Sequence, residues 1–505
     1  MTIYRLLEEN SDRDARQAAI SAPGETPLSY GELHDLVQTT ITALNRFGVG
    51  RNDRTAVCLP NGPRMAAAFA GVASASTFAP LNPAYRREEM EFYLEDLEAR
   101  ALIVEKGDEG PAVEAAQALG VPLLEMRSEA GKPAGWFALE GEPRALAGEG
   151  GAAEDEDVAL ILHTSGTTAR PKIVPLSHVN VCASGRNIAA TLALKPEDRC
   201  LNIMPLFHIH GLIGATLSTL SAGAELAATP GFHALRFFQW LEDMQPTWYT
   251  AVPTMHQAIL ARAARNREVV EKAGLRLIRS SSAALPPTVL SELEETFGCR
   301  VVESYGMTEA AHQMASNPLP PLDRKPGSVG PAAGPEIAVM DAEGAMLAQG
   351  STGEVVIRGE NVTSGYDRNP EANAASFSDG WFRTGDQGYL DADGYLYLTG
   401  RLKELINRGG EKISPREIDE VLLAHPSVAQ ATAFAAPHPK LGEEVAAAVV
   451  LTEGAEIDER TLRAFVSERL ADFKTPKTIL FLDEIPKGPT GKIQRIGLAA
   501  KLGLG

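Results

Sequence analysis

The chain has 505 residues, 44% hydrophobic and 22% charged, with 46 glycines and 33 prolines. That composition excludes collagen-like, low-complexity and wholly disordered chains, and the length predicts about three to four lobes. Lys and Arg number 47 against 66 Asp and Glu, a formal net charge of −19. Such a balance argues against coating nucleic acid or an anionic membrane. A small anionic substrate stays open, because local cations outweigh distant charge beyond a screening length of about 8–10 Å.

An amphipathic stretch from Tyr30 to Phe47 ends at Gly48, and β-rich runs follow at 54–59, 101–105, 122–126 and 158–164. Strands separated by helical patterns predict α/β layers. The segment from Gly131 to Asp157 is rich in Gly, Ala, Glu and Pro and reads as a solvated surface loop. From Gly334 to Gly400 short strands at 337–340, 353–358 and 395–398 alternate with the turn signals Asp341-Ala-Glu-Gly344 and Asp391-Ala-Asp-Gly394, a small β-rich subdomain. A helix is predicted from Ser414, with Ser as N-cap and Pro415 in the first turn, then a strand at 445–451 and a helix from Asp458 to Leu470. No internal repeat is visible.

The fold class expected is α/β. A large N-terminal region spans 1–402, with two α/β subdomains to about 330 and the β-rich part from about 331 to 402; a small mobile α+β domain occupies 403–505. The four cysteines, Cys58, Cys182, Cys200 and Cys299, contain no CxxC pair, so neither a disulfide framework nor a zinc site is expected. Charge comes too early in the first ten residues for a secretory segment. The most apolar run, 201–215, is broken by Pro205, His208 and His210, and the terminal Lys-Leu-Gly-Leu-Gly is not a peroxisomal address. A cytoplasmic chain with no membrane or nucleic-acid partner is expected, as a monomer or homodimer.

The segment with the sharpest chemistry is Thr164-Ser-Gly-Thr-Thr-Ala-Arg-Pro-Lys172. It follows a buried strand, where ligands bind in α/β sheets. Small hydroxyl residues and glycine supply donors with little bulk, as a phosphate requires, and Lys172 adds a cation. The pattern is not a Walker A loop; its bland reading is a Ser/Thr/Gly turn.

This string resembles the phosphate loop of the adenylate-forming superfamily, which contains acyl-CoA synthetases, luciferases and peptide-synthetase adenylation domains. Further motifs occur in that family's order: Met204-Pro-Leu-Phe-His-Ile-His-Gly211, Tyr305-Gly-Met-Thr-Glu309, Gly353-Glu354, Trp381-Phe-Arg-Thr-Gly-Asp386, Gly400-Arg401, Gly409-Gly-Glu-Lys-Ile413 and Gly491-Lys-Ile-Gln-Arg495. The resemblance runs from Ser29-Tyr30-Gly-Glu-Leu33 to Arg495. Within the family, the texture of 204–211, 248–256, Arg279-Ser-Ser-Ser-Ala283, 308–312 and 400–418 looks most like oxalate–CoA ligases.

The resemblance implies two steps: carboxylate and Mg·ATP give an acyl-adenylate and pyrophosphate, then the thiol of coenzyme A takes the acyl group and AMP leaves. It implies a nucleotide site at Thr164, Ser165, Gly166, Thr167, Thr168, Lys172, Ser282, Ala283, Ala284, Glu303, Ser304, Tyr305, Gly306, Asp386 and Arg401. Tyr305 offers a face to adenine, Thr308 a hydroxyl to the α-phosphate, and Asp386 two acceptors for a ribose diol. Glu309 is expected to hold Mg²⁺, which prefers oxygen ligands; the bland reading is a helix-terminal acid.

Lys492 is the expected adenylation lysine, offsetting repulsion between a carboxylate and a polyanion; without the family context it reads as a solvated turn. Lys403 matches the hinge position, and Gly409, Gly410 and Glu411 would line the pantetheine approach. His208 would border the acyl pocket, with His256, Ser282 and His312 as further candidates for a small acid. His208 and His210, two apart, would share one face of an extended strand. His312 would share a face with Thr308 if Glu309 opens a helix. Polar donors suit a tiny diacid, whereas a fatty acid needs an apolar tunnel. Rival readings are ligases for malonate or a short fatty or aryl acid, a carrier-loading adenylating enzyme, and a non-catalytic nucleotide sensor.

Overall fold

The computed structural model describes residues 1–146, 148–164, 171–486 and 493–504. They fall into two compact units. One contains the residues up to Thr164, 171–336 and Ile357–Phe382; the other contains Ile337–Val356 and the residues from Arg383 onward. The first unit carries the parallel sheets, as the α/β expectation requires.

Its seven-stranded sheet has the order Ala138–Glu140, Leu123–Arg127, Ala101–Glu105, Arg54–Cys58, Thr77–Pro80, Val158–Thr164, Lys172–Ser177. The inner pairs are parallel and the two outermost antiparallel. Strands such as Ala101–Glu105 are almost wholly buried, and so read as continuous apolar runs rather than alternating ones. The helix Tyr30–Arg46 begins at a capping box: the Glu32 amide donates to Ser29 Oγ, and the Ser29 amide to Glu32 Oε2, satisfying end donors that the helix itself cannot.

The segment 131–157 departs from the loop expectation. Ala138–Glu140 pairs with Leu123–Arg127 as an edge strand, and Ala134, Phe137 and Ala153 are buried. The high Gly, Pro and Glu content masks these few anchors. All four cysteines are free; burial pushes the thiols of Cys58, Cys182 and Cys299 up to about 12, which keeps them protonated and inert.

The eight-stranded sheet has the order His312–Ser316, Arg300–Met307, Leu277–Ser280, Trp248–Ala251, Arg199–Asn202, Glu225–Ala228, Ala18–Ser21, Leu28–Ser29. Strands 300–307 through 18–21 run parallel. Alternation divides its faces. Leu201, Tyr249, Ile278 and Val301 pack in one core cluster with Phe237, Trp240, Ile259 and Leu293. Asn202, Thr250 and Arg279 stand in register on the other face. There Asn202 bonds Thr216 of the π-helix His210–Leu217. Thr216 Oγ1 in turn donates to the carbonyl of Gly211, 2.9 Å away, five residues back and in step with the wide π turn.

In the second unit, Asp386 pairs in register with Arg401 across antiparallel strands Trp381–Leu390 and Leu396–Arg401. Strands Val428–His438 and Gly442–Leu451 form a long hairpin. One face packs against helices Pro415–Leu423 and Glu459–Ser467 through Ile418, Leu422, Leu462 and Val466. Helix 459–467 is capped by Asp458, which accepts from the Thr461 amide at 2.7 Å, and stops three residues before the predicted Leu470. Ser414 holds the predicted N-cap position, but its hydroxyl donates to the Thr399 carbonyl instead of capping.

Candidate active site

Strand Arg199–Asn202 is flanked by Glu225–Ala228 on one side and Trp248–Ala251 on the other. The chain leaves it first toward 225–228 and then crosses back, so its carboxyl end is a topological switch point, where open α/β sheets form a crevice. Four segments leave adjacent carboxyl ends there: 203–210, 252–256, 281–285 and 308–311.

His210 is the centre of a polar cluster. It is 0% exposed; Nδ1 lies 3.1 Å from Ser282 Oγ and Nε2 2.6 Å from Thr250 Oγ1. The His312 ring stands edge-on to it, with centroids 4.9 Å apart and an interplanar angle of 89°. Ser282 reaches His210 from a left-handed backbone, φ 71°, a conformation non-glycine residues adopt at a cost and one that marks functional sites. The arrangement overturns two sequence expectations. His208 and His210 share no strand: His208 lies in the turn before the helix that His210 opens. Glu309 opens no helix: Thr308–Ala310 is a single 3-10 turn, and His312 begins the returning strand His312–Ser316. Ala311 and His312 both have positive φ, 45° and 100°, which produces that reversal.

Two glycines make the cluster possible. At Gly306 a Cβ would lie 1.6 Å from the His312 carbonyl oxygen, so no other residue lets the two strands close. At Gly214 a Cβ would lie 2.6 Å from His312 Nε2 and 3.0 Å from His210 Cδ2. Gly214→Ala is therefore expected to push the two rings apart. Overpacking of this kind costs about 1–3 kcal/mol, so the KM for the acid should rise about 5- to 150-fold, with ATP binding unchanged. Titrating ATP and acid separately against both proteins checks it; equal loss of both would contradict it.

His256 lies elsewhere. It is fully buried, its Nδ1 3.2 Å from the Tyr249 hydroxyl on the apolar face of the sheet, and burial holds its pKa down at about 3. It is a neutral core histidine that shares no bond or ring contact with His210, Ser282 or His312 among the described residues.

A second group forms around Glu309, whose side chain is buried. Oε1 accepts from the Tyr366 hydroxyl at 2.9 Å. Lys172 Nζ stands 4.2 Å from the Tyr366 ring centroid, a cation–π contact. Burial, and then the Glu309 charge, raise the Tyr366 pKa, so the phenol stays a donor. Tyr366 was invisible in the sequence, which offers no spacing that ties it to Glu309. Nearby, Glu303 Oε1 accepts from the Leu285 amide and Ser281 Oγ donates to the Ser304 carbonyl. These bonds fix segment 281–285, with Ala283 and Ala284, beside strand 300–307, which carries Tyr305. Thr164 pairs in register with Lys172. Ser165, Gly166, Thr167, Thr168 and Lys492 lie outside the described residues.

In the second unit, the Asp386 carboxylate is buried and accepts from Arg401 Nε at 2.9 Å. Gly409 and Gly410, φ 61° and 101°, form the two-residue turn of the hairpin Ile406–Arg408 and Glu411–Ile413, where two positive φ values favour glycine. Glu411 is exposed there, and Lys403 lies exposed in the 3-10 turn Leu402–Glu404. Among the described residues no three His, Cys, Asp or Glu side chains converge to hold a metal ion by themselves, and no helix is long and apolar enough to cross a membrane.

The AMP-binding enzyme model matches residues 7–367, and the AMP-binding enzyme C-terminal domain model matches residues 417–492. The chain belongs to the AMP-binding enzyme family. It is 45% identical to an oxalate–CoA ligase of Arabidopsis thaliana over 98% of this chain and 97% of that one. It is 41% identical to an oxalate–CoA ligase of Saccharomyces cerevisiae over 95% and 93% respectively. Among solved structures it resembles ATP-bound MatB from Rhodopseudomonas palustris, with a TM-score of 0.87, 30% identity and 99% coverage of both chains. AMP-binding enzymes of this adenylate-forming fold thus share both the large and the small part of the chain.

Proposed function

We propose that this protein activates oxalate as its CoA thioester through an oxalyl-adenylate. The chain is an ATP-dependent, AMP-forming acid–CoA ligase; the choice of acid is the further step. The observation that carries it is the composition of the side-chain cluster around His210. His210, His312, Ser282 and Thr250 bring polar hydrogen-bonding groups together at the switch point. Such groups suit a small acid with oxygen atoms at both ends and penalise an alkyl chain, which would leave them unpaired.

Chemistry follows from the poor leaving group of a carboxylate. Attack of one carboxylate oxygen on the α-phosphorus breaks the bond to pyrophosphate and gives the mixed anhydride. The thiol sulfur then attacks the acyl carbon and AMP departs. Thr164, Lys172 and Ser165–Thr168 would cradle phosphate, with Tyr305, Glu303, Ser304, Gly306, Ala283 and Ala284 shaping the nucleotide pocket. Asp386 would accept from the ribose diol and Arg401 would hold it in place. The buried Glu309 carboxylate, oriented by the Tyr366 phenol, would hold Mg²⁺, a cation that prefers oxygen ligands. When bound, Mg²⁺ neutralises charge developing on the phosphates.

His208 would border the acid and Thr308 would donate to the α-phosphate. Lys492 would serve the first half-reaction. A pivot at Lys403 would bring Gly409, Gly410 and Glu411 to the thiol path for the second.

A panel of acids tests the substrate. Oxalate should drive pyrophosphate release at concentrations at least about tenfold below malonate, acetate or a medium-chain fatty acid, since unmatched polar groups cost at least about 1–3 kcal/mol. Preference for an apolar acid would overturn the assignment.

A further inference from the structure

Arg279 sits in the middle of strand Leu277–Ser280 and is 0% exposed. Its Nη2 donates to Gln313 Oε1 at 3.1 Å, while Nε and Nη1 are buried with no hydrogen-bond partner. No carboxylate among the described residues pairs with it. Burial lowers its pKa to about 9, so the guanidinium is a cation at neutral pH. The thiol of Cys200, the titratable group that interacts with it, is itself held protonated by burial.

A buried charge without a partner is rare and costly, so something must offset this one. Three observations tie it to the histidine cluster. Arg279 is in register beside Thr250, whose hydroxyl contacts His210. It lies three residues before Ser282, the other partner of His210. Its hydrogen-bond partner Gln313 directly follows His312, and Gln313 Nε2 is anchored to Thr191 and the Ala333 carbonyl.

We propose that Arg279 is the specificity-determining cation for a dianionic acid, attracting the second carboxylate across the layer of His210, Thr250 and Gln313. This rests on the small-acid reading of the pocket. Arg279 is a positioning residue: its field acts across a water-poor interior, where charges are weakly screened, and its bond to Gln313 fixes the start of the His312 strand. A monoanion of the same size gains only part of that attraction, so the second charge is what the residue selects.

The test compares oxalate with oxamate, which replaces one carboxylate by a neutral amide of similar shape. KM for oxalate and the inhibition constant of oxamate are measured in the wild type and in Arg279→Met, Arg279→Gln and Arg279→Lys. Melting temperatures are recorded for the free protein, with ATP and with oxalate. In Arg279→Met and Arg279→Gln the KM for oxalate should rise about 10- to 100-fold, the range for losing a charged partner, while oxamate binding changes less than about threefold. The ATP-induced rise in melting temperature should persist and the oxalate-induced rise should vanish. Free Arg279→Met should melt no lower than the wild type, because a lone buried charge has been removed. Arg279→Lys should recover part of the preference.

Equal weakening of both ligands would overturn the proposal, as would an unchanged KM for oxalate. If Arg279→Met does not fold, Arg279→Gln, which keeps a donor for Gln313, decides by the same ratio. A wild type that prefers malonate overturns the oxalate assignment yet supports this one if the variants lose that preference for a second charge. A wild type that binds oxamate as tightly as oxalate overturns this proposal whatever acid it turns over.

Discussion

Replacing Lys492 with alanine should reduce pyrophosphate release by about 10²–10³-fold, the cost of removing one preorganised partner of developing charge, while leaving thioester formation from a supplied acyl-adenylate within a few-fold of wild type. The asymmetry follows from charge. In the first half-reaction an anion approaches a triphosphate, and negative charge shifts onto departing oxygens. In the second, a neutral or thiolate sulfur attacks an activated carbonyl and the triphosphate is gone. On the proposed pivot at Lys403, a cation that reaches the α-phosphate in the first arrangement and leaves it in the second would serve the first step alone. Rates of pyrophosphate release and of CoA consumption, measured separately on the same preparation, check it. Equal losses in both would mean that Lys492 serves folding or general binding instead.

Glu309→Gln should cost a comparable factor in adenylation, by a different route. The amide keeps the side chain's shape, and its oxygen still accepts from Tyr366, 2.9 Å away in the wild type. What disappears is the negative charge, and with it the affinity for a hard cation. The rate should fall about 10²-fold at ordinary Mg²⁺ concentrations and recover partly as Mg²⁺ is raised. Melting temperature should change little, because packing and the phenol bond survive. Tyr366→Phe separates charge from orientation: it removes one hydrogen bond to a carboxylate, a loss of about 1.5–3 kcal/mol at most, with no change in charge. A rate for Glu309→Gln that Mg²⁺ cannot restore, equal to that of Tyr366→Phe, would reduce Glu309 to a structural acid.

Much of the fold was legible because its strands are buried on both sides. Runs such as Ala101–Glu105 and Val158–Thr164 announce themselves by composition, and the predicted bounds match the observed ones. Motif order likewise placed Glu309, Asp386 and the glycine pair 409–410 in the chain. The histidines show where such reading stops. Spacing of two suggested a strand for His208 and His210, since nothing in the residue types signals a π turn. The reversal at Ala311 and His312 depends on Gly306 allowing a backbone oxygen to approach, a contact between residues on two strands that local pattern does not encode. His256 had the right chemistry in the wrong place: it sits on the helix Pro253–Ala263, which carries it onto Tyr249 and away from the polar cluster. Tyr366, in the polar loop string Thr363-Ser-Gly-Tyr-Asp-Arg368, and Arg279, in the strand Leu277–Ser280, escaped because one tyrosine or arginine looks alike in sequence whether it packs, pairs or waits for a ligand.

The wide turn at His210–Leu217 carries a consequence for how this lineage can diverge. A π turn holds one more residue than the α turn it replaces, and each residue of an α-helix advances about 100° around its axis. Loss of a single codon there would let the helix relax to ordinary winding and would turn the imidazole at its head out of line with Gly214. Point substitutions can retune the acid gradually, whereas insertions and deletions in these eight residues should be abrupt, all-or-none events. A library that varies length across this turn should therefore yield few active clones and many folded, silent ones.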